Sequence, residues 1–145
     1  MTPRELARLY ETLVRDAPDA IVYADQEGVI RFWNRGTERT FGFSAAEAIG
    51  KSLDPVIPER LRGRHWEGYR HVMETGVTRY GAGDLLAVAA LRKGGEQISI
   101  EFTIVPLRNQ AGGMCGVAAI MRDVTKRFEE TKELRRKLAA ASSRS

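Results

Sequence analysis

A chain of 145 residues, 43% hydrophobic and 29% charged, has the make-up of one globular domain with an ordinary core, which excludes a disordered tract. The longest apolar run, LLAVAAL at 85–91, is too short to cross a bilayer, and the charged stretch MTPRELARLYETLVRDAPDA contains no signal core. The single cysteine, Cys115, excludes an intrachain disulfide framework and suits a reducing compartment, so a cytoplasmic protein is expected.

The net charge is +4. All of it resides in segment 125–145, where Lys126, Arg127, Lys132, Arg135, Arg136, Lys137 and Arg144 outnumber Glu129, Glu130 and Glu133. Mixed signs make this a solvated helix rather than a nucleic-acid surface. No zinc-finger spacing or recognition-helix pattern accompanies it. Neither nucleic acid nor membrane is an expected partner.

In chain order, TPRE at 2–5 is a capping box with Pro at the first helical position. Leu6, Leu9, Tyr10, Leu13 and Val14 follow at helical spacing, so residues 3–15 form an amphipathic helix. AIVYADQEGVIRFWN reads as two strands around a DQEG turn. NRGTERTFG is a short helix stopped near Gly42, and SAAE at 44–47 opens a further turn that Gly50 closes. DPVIPERL then leads through two prolines into a longer helix ending at Gly76.

The rest is mostly sheet. DLLAVAALRKGGEQISIEFTIVPL is two strands around KGGE, and Ile98, Ile100, Phe102 and Ile104 alternate strictly with polar residues. RNQAGG is a turn, MCGVAAIMRDVT a last strand, and a polar helix runs from Lys126. These elements predict an α+β fold: a five-stranded antiparallel sheet with short helices on one face. Three parts are expected: an N-terminal amphipathic helix at 1–17, a core domain at 18–124, and an exit helix with a frayed tail at 125–145.

One histidine stands out. At about 100° per residue, Leu61, Tyr69, Val72 and Gly76 fall within about 40° of His65, while Arg60, Arg64, Glu67, Arg70 and Glu74 lie about 100° or more away. His65 is thus centred on the helix's apolar face and His71 is on its polar side. A buried imidazole needs partners, or it costs on the order of 1–3 kcal/mol. A backbone carbonyl or water satisfies that need, and so does a metal. With no second or third ligand at metal spacing, a bare zinc or iron site is not expected, whereas one axial histidine suffices for iron in a porphyrin.

The order of elements, with DAIVYADQEGVIRFWNRGTERTFGFSAAEAIGKSL at 19–53 and RDVTKRFEETKELRRKL at 122–138, resembles a PAS domain. The first stretch is similar to the PAS opening hairpin, the asparagine-led short helix and the G[FY]S…E…IG step. The second resembles the Asp-[LIV]-Thr strand end and its following linker helix. The flavin photosensor class needs a cysteine in an NCRFLQ-type segment, which this chain lacks; Cys115 reads as a small apolar residue of the last strand.

Within that family RGRHWEGYRHVMETG is similar to the helix of the bacterial haem-PAS oxygen sensors. The resemblance implies a b-type haem with His65 as proximal ligand and metal site, and Tyr69 beside it. His71 falls where those sensors carry a polar residue near the haem edge. Arg62, Arg64, Arg70 and Arg79 are then candidates to meet the propionates through bidentate contacts. Those sensors also carry an arginine on the strand after the helix that holds bound oxygen. Counting back from RKGG, that position is Leu86, with Asp84 two before it. The distal wall becomes Leu86, Val88, Phe102 and Ile104, all apolar, unless Trp66 or Asp84 supplies a donor. The implied ligand is a diatomic gas, with CO or NO less dependent than O2 on a donor; a redox state is also open. A plain apolar core would show the same wall, leaving an interaction domain with an empty or metabolite-filled pocket as the alternative.

Leu6, Leu9, Leu13 and Val14 at one end, and Phe128, Thr131, Leu134 and Leu138 at the other, offer seams for a homodimer. Helices folded back on their own sheet are the alternative. Output is expected in a separate signalling partner or another region. No nucleophile–base–orienter set is visible, and GAGDLL at 81–86 is too short to cradle a nucleotide, so no enzyme is expected.

Overall fold

The computed structural model describes residues 1–78, 83 and 85–143. Its helices are α1 (Pro3–Asp16), α2 (Arg35–Phe41), α3 (Ala45–Ala48), α4 (Glu59–Thr75) and α5 (Thr125–Ser143). Its strands are β1 (Ala20–Asp25), β2 (Ile30–Trp33), β3 (Leu86–Leu91), β4 (Gln97–Arg108) and β5 (Met114–Asp123). A single 3-10 turn at Asp54–Val56 precedes α4.

Local chemistry sets the boundaries. Thr2 and Ser44 each form a complete capping box, with Glu5 and Glu47 answering three residues on. Asn34 caps α2 by accepting from Thr37 N, and α2 and α4 both stop at a left-handed glycine, Gly42 and Gly76.

The five strands form one antiparallel sheet in the order β2-β1-β5-β4-β3. Pairing puts the alternating residues on two distinct faces. On the inner face Ala90 lies opposite Ile98, Val88 opposite Ile100 and Leu86 opposite Phe102. Phe102 and Ile104 in turn meet Met121 and Ala119, which face Ala20 and Val22.

That face is filled at one end and only partly covered at the other. Phe41, Ala48 and Val56 join Ala20, Val22, Ile30, Trp33, Ala90, Ile98, Ile100 and Met121 in the buried core. One strand position further along the same face, Val88 is 43% exposed although its cross-strand neighbour Ile100 is 5% exposed. Leu86, Phe102 and Ile104 are half-buried.

Asn34, 2% exposed, fastens the start of the domain. Its Oδ1 accepts from Ile21 N, Thr37 N and Thr37 Oγ1, and its Nδ2 donates to Val14 O and Asp19 O. A buried amide with each polar atom bonded adds order, its hydrogen bonds offsetting the cost of desolvation.

Candidate functional site

α4 carries the histidine, and it is held in an unusual way for a helix laid on a sheet. The half-buried residues Leu61, His65, Tyr69, Val72, Met73 and Gly76 share one side, but none of the residues of α4 is fully buried. The apolar face expected from the wheel is therefore half-covered, not buried. Hydrogen bonds do the fastening. Arg62 Nε donates to Asp54 O (3.1 Å) and Ile57 O (3.0 Å), tying the first turn to the 3-10 segment. Trp66 Nε1 donates to Asp54 Oδ1 at 2.6 Å. Tyr69 Oη donates toward Asp25 O (2.5 Å) and Ala24 O (3.0 Å) at the end of β1. At the other end Arg108 of β4 donates through its guanidinium to Gly76 O at 2.6 Å, meeting the carbonyl end of the helix dipole.

His65 sits among rings. Its imidazole stands edge-on to Trp66, centroids 4.5 Å apart at 86°, and stacks on Tyr69 at 6.2 Å and 25°. Nδ1 is buried and has no hydrogen-bond partner. Burial holds the imidazole below the usual histidine range, and the charge of Asp54 opposes that shift. The resident form is thus the neutral imidazole, the form that ligates metals. Burial likewise pushes the Tyr69 phenol up, keeping its proton available to the β1 carbonyls.

The other sequence-derived candidates are distributed unevenly. Tyr69 gives its hydroxyl to the sheet and acts as a strut. Arg62 has its Nε committed to main-chain carbonyls, so only its terminal nitrogens are left for an anion. Arg64, Arg70 and His71 are exposed. Arg79 and Asp84 lie outside the described residues. Leu86, Val88, Phe102 and Ile104 do come together, on the partly covered stretch of the inner face. Trp66, weighed as a possible donor into the cleft, has its only N–H engaged by Asp54. Asp54, Gly28 and Arg108 were not singled out by the sequence. Their partners stand 12, 38 and 32 residues away, and no periodicity signals such pairs.

Among the described residues no three His, Cys, Asp or Glu side chains gather into a metal-ligand set, and no helix is long and apolar enough to cross a membrane. One small cavity of about 160 Å³ lies under α3 between Ile30, Trp33, Phe43, Leu53 and Val56, apart from His65.

A five-stranded antiparallel sheet in this strand order, with short helices and one longer helix on its inner side, defines a class of sensory domain. The sequence profile of the PAS fold matches residues 14–129, and the chain belongs to the PAS family. It is 29% identical over 114 residues to the Sensor protein FixL of Bradyrhizobium diazoefficiens, covering 79% of this chain and 22% of that protein. It is 27% identical over 119 residues to the Oxygen sensor protein DosP of Escherichia coli, covering 82% of this chain and 14% of that protein. The chain thus spans less than a quarter of either sensor's length. Among solved structures, the PAS domain of a Colwellia psychrerythraea protein aligns with a TM-score of 0.70 at 25% identity, over 83% of this chain and 98% of that one.

Proposed function

We propose that this chain is the non-enzymatic, haem-binding module of a gas sensor, with His65 as the protein's ligand to iron. The observation that carries this reading is the buried, unpartnered Nδ1 of a neutral imidazole on a helix whose inner face is only half covered. Leaving such a nitrogen unsatisfied costs on the order of 1–3 kcal/mol, and the helix that carries it is fastened by polar ties with its apolar face only half covered. The residues fit the group. A porphyrin takes its apolar contacts from a wall such as Leu86, Val88, Phe102 and Ile104, and asks the protein for a single nitrogen. Arg64, Arg70 and the terminal nitrogens of Arg62 are the described cations on α4 that would be available to its carboxylates. When bound, haem supplies reversible coordination of a diatomic gas. What this chain supplies is an axial nitrogen and an apolar surround.

That surround bears on which gas is detected. O2 gains most from a hydrogen-bond donor, CO and NO less, and the described wall contains only hydrocarbon. CO or NO is therefore the favoured ligand class. The likeness to a protein named as an oxygen sensor supports gas sensing; the composition of the wall argues for a different preference within it. Output passes through a homodimer joined through α1, or to a separate signalling partner.

Purified protein mixed with hemin tests the reading by absorption. A Soret band that shifts with CO and NO, and is lost in His65→Ala, is expected. Protein that stays colourless with hemin supplied would leave an interaction module that works by association alone.

A further inference from the structure

A ligating histidine is ordinarily aimed by a hydrogen bond to its second nitrogen. With the unpartnered Nδ1 of His65 as the nitrogen offered to iron, the other ring nitrogen has no hydrogen bond among the described residues, so something else must set the plane of the ring. The residues around it form a wedge. Trp66 presents its indole edge-on at 4.5 Å, Tyr69 stacks at 6.2 Å, and the two flanking rings meet each other at 5.4 Å and 73°.

Trp66 is itself locked from outside α4. Its N–H is taken by Asp54 Oδ1 at 2.6 Å. The far edge of its six-membered ring lies on Gly28 in the β1–β2 turn, where a Cβ would stand 2.6 Å from Cζ3 and 3.0 Å from Cη2. Gly28 also has φ +80°, so glycine is needed there twice over, for the backbone and for the indole. The indole has one N–H, one acceptor and one gap to fill, and all three agree on a single orientation.

We propose that Trp66, tied by Asp54 and seated on Gly28, is the positioning residue that orients His65. The geometric claim concerns the free protein; its consequence for iron rests on the haem reading above. A second nitrogen left without its usual hydrogen bond makes the ring wall the device that keeps the imidazole from turning.

The test pairs Asp54→Ala, which removes the acceptor, with Asp54→Asn, which keeps an oxygen for the indole N–H and drops only the charge. Two readouts are taken: the His65 ring-proton resonances of the hemin-free protein, and the dissociation constant and Soret maximum with hemin. Circular dichroism first establishes that both variants fold. Asp54→Ala is expected to move the His65 resonances, through the altered ring current of a loosened indole, and to weaken hemin binding about tenfold. Asp54→Asn is expected to restore both. The proposal is overturned if Asp54→Ala leaves resonances and affinity as in the parent, or if Asp54→Asn is as impaired as Asp54→Ala, which would make charge rather than the tie the cause. Should the parent itself bind no hemin, the sensor reading fails and the His65 resonances alone decide the positioning claim.

Discussion

Asp25 shows how much one carboxylate fixes in this protein. Its side chain accepts from Glu27 N at 2.9 Å, Val29 N at 3.1 Å and Arg31 Nε at 2.8 Å, which closes the β1–β2 turn. Its own carbonyl meanwhile receives the Tyr69 hydroxyl. The Arg31 hydrogen bond, with help from the two backbone N–H groups, holds the carboxyl below the usual range. A carboxylate whose pKa falls on folding adds stability at pH values above its unfolded value of about 3.9, and that contribution disappears as pH falls through the folded value. Asp25→Asn is therefore expected to unfold at lower urea concentration than the parent at pH 7, with a smaller gap between the two midpoints at pH 3, below the unfolded value. Equal gaps at both pH values would show that the carboxylate's charge is not what matters. The turn itself was legible from DQEG, because turn residues act locally. The use of Asp25 as an anchor for a tyrosine 44 residues on was not, because it depends on how two distant elements meet.

At the scale of the element, α4 departs from the usual way of holding a helix on a sheet, in which an apolar stripe is buried and polar contacts are incidental. Here the stripe is half open and the polar contacts lie at the first turn, the middle and the C-cap. The helix and its end points were readable from the 3.6-residue spacing and from Gly76. What holds it was not, since Arg108 of β4 and Gly76 at the end of α4 stand 32 residues apart and meet only in the folded chain. Arg108→Ala removes a guanidinium from the carbonyl end of the helix, a contact worth about 1 kcal/mol. The expected result is faster amide hydrogen exchange confined to the last turn of α4, with β1 and β5 protected as before. Uniformly faster exchange across the sheet would mean that Arg108 supports the whole fold and not this helix end. A helix fastened by separable ties, not by a buried stripe, is suited to small movements when the space beneath it changes occupant.

At the scale of the molecule, two apolar surfaces remain without a partner among the described residues. α1 exposes Leu6, Leu9, Tyr10, Leu13 and Val14, spaced as one stripe, and buries none of them. On the outer face of the sheet Ile120, Val105 and Leu107 are also exposed, and register aligns Ile120 with Ile21 and Thr103, and Val105 with Ala118 and Tyr23. The sequence foretold the stripe on α1, because helical periodicity is a one-dimensional property. It said nothing of the outer patch, whose exposed members are scattered along β4 and β5 and gather only through pairing. Apolar stripes of this kind mark association surfaces, and in the homodimer proposed above each would cover its counterpart. The charge on α5 does not compete for this role: Arg136–Glu133 and Arg127–Glu101 pair within the subunit, and Phe128, Leu134 and Leu138 are separated by exposed polar residues. Leu9→Glu places a carboxylate in the middle of the α1 stripe without touching the sheet or α4. It is expected to convert a dimer into a monomer by analytical ultracentrifugation while leaving the hemin absorption spectrum unchanged. If Leu9→Glu sediments as the parent does, the contact lies elsewhere. If it alters the Soret band as well, the N-terminal helix is coupled to the His65 site, with Asn34 and β1 offering one path from α1 to the strand that Tyr69 grips.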